Sequence, residues 1–275
     1  MSARAHFESI ACREDSDIDL AEAALWIAAE EYPELDVDAY LARFDEMAQS
    51  ARPKLEAASS ENERAKVLLS SLLEDEGFVG NTDRYEDPRN SYLNEVLDRK
   101  VGIPITLWLV VMEVARRAGF DVSGISFPGH FLGRLEGAGS GVVFDAFYGV
   151  LLTLEDCESR LKAMAGESVE LSPAIHLRKA TRREILVRIL TNLKHIGIRN
   201  RDFDRVLGCS DRILLLTPDA PLELRDRGVA YEQLECFSAA IIDFQRYLEL
   251  APDGEAAGAI SRRVESLHGR VKHMN

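Results

Sequence analysis

The chain has 275 residues, 46% of them hydrophobic and 29% charged, with a formal net charge of −14. Those values describe a globular protein able to bury an ordinary core, and they exclude a disordered chain. Residues 175–275 hold 17 of the 33 basic and 14 of the 47 acidic side chains, so the first 174 residues hold 16 against 33, a balance of −17. Such an acidic body repels phosphate backbones, so nucleic acid is not an expected partner.

The longest apolar run, Ile105 to Met112, is too short to cross a bilayer. No basic region followed by an apolar stretch opens the chain, so a cytoplasmic protein without membrane contact is expected. Cys12, Cys157, Cys209 and Cys236 are widely spaced and form no CxxC pair. Reduced thiols are expected, with no disulfide framework, metal or other cofactor.

Along the chain, Leu20, Ala24, Ile27 and Ala28 recur at helical spacing before Pro33, and Val37 to Met47 continues in the same style. Ser60 and Glu63 form a capping-box pattern ahead of Val67, Leu68, Leu72 and Leu73. The stretch after Gly77 is rich in Gly, Asn, Asp and Pro and predicts turns. Pro104 suits the first turn of a helix over Ile105 to Ala118, whose all-round apolarity predicts burial. Val122 to Phe127, Phe131 to Leu135 and Val142 to Phe147 read as short strands, the last two joined by a hairpin through Gly137 to Gly141. Thr153 and Asp156 open another helix, Leu171 to Ala180 reads as a linker, and helices follow from Thr181.

The C-terminal part repeats itself. LLLTPDA at Leu214 to Ala220 returns as LELAPDG at Leu248 to Gly254, and Pro218 and Pro252 are separated by the 34-residue tetratricopeptide period. Gly228, Tyr231, Ala240, Phe244 and Pro252 fall on that repeat's characteristic positions, while Lys194 stands where the preceding unit should have Gly. Two units bury little core alone and must lean on the rest of the chain or on a partner.

The chemistry-bearing residues lie between positions 90 and 147. His130 in FPGHFL and Asp145 in VVFDAF are brought nearly opposite by the predicted hairpin. A carboxylate orienting an imidazole beside a helix N-terminus is the supporting half of a nucleophilic triad. A hydrogen-bonded structural histidine is the plainer account of the same pair. Asn90, Ser91 and Asn94 fit turn and capping chemistry, or else a polar cleft rim.

The runs NSYLNEVLDRKVGIPITLW, FPGHFLGRL and FDAF resemble the SirB-one-type bacterial family, in which a transglutaminase-like domain precedes tetratricopeptide repeats. The resemblance implies an α+β fold: a helical N-terminal segment and a papain/transglutaminase-like core with a small antiparallel sheet over residues 1–172, then an all-α repeat unit over 173–275. It places His130 and Asp145 at the triad His and Asp positions. The nucleophile position, in the first turn of the central helix, reads Gly102-Ile103-Pro104-Ile105-Thr106, and no cysteine lies between Cys12 and Cys157. The expected function is therefore a non-catalytic protein- or peptide-binding adaptor, with Asn90 and Asn94 at the cleft and Gly228, Tyr231 and Phe244 in the repeats. Self-association through the repeats is a further expectation. The rival is a hydrolase or acyltransferase using Thr106, His130 and Asp145.

Overall fold

The computed structural model describes residues 2–274 and divides into two compact units, residues 1–186 and 187–275. The first opens with α1 (Ala3–Ala11), α2 (Leu20–Ala28), α3 (Val37–Ala57) and α4 (Glu61–Ser70), the last running into a π-turn at Ser71–Asp75. Asp19, Asp36 and Ser60 cap the second, third and fourth of these through their side-chain oxygens. The Ser60 box is modified: Ser60 accepts from the Glu63 N–H, but the Glu63 carboxylate accepts from Ser59 instead. Sequence reasoning missed α1, whose stripe of three buried residues is short.

A two-residue parallel pair follows, β1 (Val79–Gly80) with β2 (Val101–Gly102), enclosing the helix α5 (Leu93–Arg99). Then comes α6 (Pro104–Ala118), whose Trp108, Leu109, Val110, Val111 and Val114 are all buried, as its all-round apolarity predicts. It ends at Gly119, whose φ of 93° supplies the left-handed C-terminal turn. α6 packs against α3 on one side and against the sheet on another.

That sheet is antiparallel, in the order β3 (Val122–Ile125), β4 (Leu132–Leu135), β5 (Val142–Asp145) and β6 (Val150–Leu152). Gly133 pairs with Phe144, so the predicted hairpin is present, with shorter strands than expected. β6 was not foreseen. Beyond it run α7 (Leu154–Ala165), opened by the predicted Thr153/Asp156 box, and the short α8 (Pro173–His176). The stretch expected to be a linker is partly tied down, because Lys179 bridges to Ile125 of β3.

α9 (Arg182–Asn200) begins in the first unit, where the Asp15 carboxylate accepts from the Arg182 and Arg183 backbone N–H groups. The basic run Arg178 to Arg183 thus belongs to the acidic domain's own framework. The second unit is all helical: the rest of α9, α10 (Phe203–Leu216), α11 (Pro221–Gln233), α12 (Phe237–Leu250) and α13 (Ala257–Met274). Gly228 meets Phe244 where α11 and α12 cross, and a Cβ there would sit 2.6 Å from the ring. Lys194, in place of the repeat's Gly, is buried, and its Nζ is held by Glu223 at 2.6 Å and Asp226 at 2.9 Å.

Candidate functional site

His130 closes a tight turn. Its N–H donates to the Phe127 carbonyl, with Pro128 and Gly129 between them and Gly129 at φ 68°, the requirements of a type II turn. The residue therefore sits just ahead of β4 rather than on it. The turn and the β4–β5 register bring His130 Nε2 to 3.0 Å from Asp145 Oδ2. The contact is close, but the ring N–H is not aligned on that oxygen as a well-formed hydrogen bond requires.

Asp145 is fully buried and has better-aligned partners. Its Oδ1 accepts from the Phe147 and Tyr148 N–H groups at 2.9 and 3.3 Å, and Oδ2 accepts from Arg160 Nη1 at 2.5 Å. Burial works to raise the Asp145 carboxyl, but His130 and then Arg160 outweigh it and hold the group below its ordinary range. Arg160, on α7, is the member of this cluster that sequence reasoning missed. It stands 15 residues beyond Asp145 on another element, and no local pattern links the two.

Aromatic side chains surround the pair. The Tyr148 ring lies nearly parallel to the His130 ring at 6.0 Å, and Phe147 meets both edge-on. Tyr85 reaches Phe147 from the turn-rich segment, and the Arg160 guanidinium lies over Tyr148.

Thr106 is in the first turn of α6 but is occupied otherwise. It is buried, its Oγ1 accepts from the Ile103 N–H at 3.1 Å, and it has the Asn90 carbonyl at 2.8 Å and the Ile103 carbonyl at 3.2 Å to donate to. None of these contacts involves His130. Ile105 beside it is core. Cys157 is buried on α7, and burial pushes its thiol up, away from the reactive form.

The asparagines are also internal. Asn90 is buried; it donates to the Arg84 and Tyr85 carbonyls and accepts from Asn81, which ties the turn segment together. Asn94 is buried on α5 with no hydrogen-bond partner for its Oδ1. In the repeats, Gly228 and Phe244 form the helix crossing, and Tyr231 lies half-buried under the Arg227 guanidinium. A separate cavity of about 210 Å³ borders the later turns of α6 at Trp108, Met112 and Glu113. None of its lining residues belongs to the His130 cluster. Among the described residues no group of three or more His, Cys, Asp or Glu side chains is placed to hold a metal ion, and no helix is long and apolar enough to cross a membrane.

Residues 38–191 match the model of the transglutaminase-like superfamily, and residues 193–265 match a tetratricopeptide repeat. Over 249 residues the chain is 41% identical to a UPF0162 protein of Xylella fastidiosa, covering 90% of this chain and 89% of that one. A UPF0162 protein of Vibrio cholerae is 31% identical over 258 residues, 93% and 95% of the two chains. Protein SirB1 of Salmonella typhimurium is 25% identical over 218 residues, 79% and 81% of the two. No solved structure matches the chain. With the family model spanning more than half of the chain and relatives aligned over nearly all of it, this protein belongs to the transglutaminase-like superfamily, in the bacterial SirB1/UPF0162 group that carries C-terminal tetratricopeptide repeats.

Proposed function

We propose that this protein is a non-catalytic, cytoplasmic adaptor for a protein or peptide. In this reading the transglutaminase-like domain has lost its catalytic cysteine and the repeats hold a partner. The observation that carries it is the commitment of Thr106. At the start of the central helix, where the chemistry of the fold needs a nucleophile, stands a buried hydroxyl bonded to backbone. A Thr hydroxyl needs a neighbouring base to become nucleophilic, and this one has carbonyls for neighbours. Tetratricopeptide repeats generally serve protein–protein contact, which favours recognition as the remaining role.

The rival reading, a hydrolase or acyltransferase built on Thr106, His130 and Asp145, draws on the 3.0 Å approach of His130 to Asp145. It requires Thr106 to abandon its capping bonds and turn toward His130. Turnover of active-ester and glutamine-amide substrates by the intact chain, Thr106→Val and His130→Ala decides between them. The adaptor reading expects the same background from all three. Turnover lost in both variants would overturn it.

A further inference from the structure

Six of the ten exposed large hydrophobic side chains among the described residues gather on the elements around His130. Tyr148 (59% exposed) faces the His130 ring, Tyr85 (48%) reaches Phe147, and Met164 (61%) covers Gly129. Val150 (41%) opens β6, Leu154 (59%) follows it, and Val79 lies on β1. Single exposed apolar residues need no explanation, but a grouped set marks an interaction surface.

The four-stranded sheet near these residues ends at β6. β6 pairs with β5 on one side, and among the described residues no strand pairs with its other side. Gly149 to Thr153 has no proline, no lysine and no bulge, so what limits pairing at this edge is the three-residue length of β6 and the nearby α4. Beside it runs a groove of about 450 Å³ between Gly149–Leu151 and α4 with its π-turn, walled by Val67, Leu69 and Leu73. Its charged lining is Glu63 and Glu74 against Lys66 alone.

We infer that β6 and this groove bind an extended, basic segment of a partner protein, which adds a strand to the sheet beside His130. A free edge offers backbone donors and acceptors in a row, and only an extended chain can pair with them in series. Side chains on one face of the added strand, at every second position, would rest on Val150, Leu73 and the Tyr148 ring. The intervening positions would meet the acidic lining, on a domain whose first 174 residues carry −17. This mode rests on the adaptor reading, and it adds to the repeats a second recognition surface on the first domain with a stated kind of ligand.

The test is selection of displayed random peptides, long enough to form a strand, on the intact chain. The expected binders alternate apolar and Lys/Arg residues. Their affinity falls about tenfold or more, on the order of 1.4 kcal/mol, either in Val150→Lys or when alternate peptide amides are N-methylated. Those amides of Val150, Leu151 and Leu152 that face away from β5 gain protection from hydrogen exchange when such a peptide binds, whereas Gly149 and Thr153 already donate to Asp145 and Asp156. Val150 is exposed, so Val150→Lys keeps the fold, which circular dichroism verifies. Binders indifferent to both changes overturn the inference. Binders that protect only residues 187–275 overturn it and leave the adaptor reading standing, whereas an absence of binders defeats both. A concentration-dependent dimer abolished by Val150→Lys overturns the peptide as occupant and assigns the edge to a second copy of the chain.

Discussion

Replacing Gly228 by Ala sets two opposing effects of known size against each other. In an exposed helix interior Gly→Ala stabilises by roughly 0.5–1 kcal/mol, because glycine loses more backbone freedom on folding. At position 228 the new Cβ would lie 2.6 and 2.7 Å from two carbons of the Phe244 ring. Phe244 is fully buried among Leu224, Phe237, Ala240, Ile241 and Tyr247, so the ring has no free space to move into. Overpacking of this kind costs about 1–3 kcal/mol, which exceeds the propensity gain. The net prediction is destabilisation by about 1 kcal/mol for Gly228→Ala and more for Gly228→Leu. Gly269 on α13 is the matched control, since a Cβ there meets nothing within 4 Å, and Gly269→Ala should stabilise. Both tryptophans, Trp26 and Trp108, lie in the first unit, so their fluorescence follows that unit alone. Urea unfolding of the intact chain should shift the far-ultraviolet dichroism transition down for Gly228→Ala and up for Gly269→Ala, with the fluorescence transition unmoved. An upward shift for Gly228→Ala would refute the close crossing. A shift of both probes together would show that the two units unfold as one.

Three further outcomes are expected. Asp145→Asn removes the charge that Arg160 and His130 face, and because Arg160 is partly exposed the cost should be about 3 kcal/mol at neutral pH, the low end for breaking a buried pair. The wild-type Asp145 carboxyl is held below its unfolded value of about 4, so its contribution is complete above that pH and is lost as pH falls through the lower folded value. The variant's stability curve should be flatter across that acid window, as measured by urea melts at successive pH values. Thr106→Val should cost about 1–3 kcal/mol by leaving the Ile103 N–H without its acceptor, and it should leave partner or peptide binding unchanged. Lys194→Met should strip Glu223 and Asp226 of their shared cation, lowering the dichroism transition without moving tryptophan fluorescence.

What the sequence disclosed follows the range of the interactions involved. The burial of α6 was readable from apolar residues on every face, and the Thr153 box from a spacing of three residues. The helix crossing at Gly228 and Phe244 was readable because the 34-residue period fixes which positions meet. β6 was missed because three residues between a turn and a helix carry too little alternation to declare a strand. The parallel β1–β2 pair has only two residues in each strand, and its pairing depends on α5 folding between them. At the site, the approach of His130 to Asp145 was legible from the hairpin. Arg160 was not, because α7 reaches Asp145 only through tertiary packing. The partner of the Thr106 hydroxyl was likewise hidden, since its bond to Asn90 spans 16 residues and depends on how the turn segment folds back.

The central claim, recognition without covalent chemistry at the head of α6, is tested most directly by intact-protein mass spectrometry after incubation with an activated ester such as p-nitrophenyl acetate. The account predicts no acyl adduct on Thr106, because its hydroxyl is buried and bonded to backbone carbonyls. An adduct mapped to Thr106, formed by the wild-type chain and abolished by His130→Ala, would contradict it.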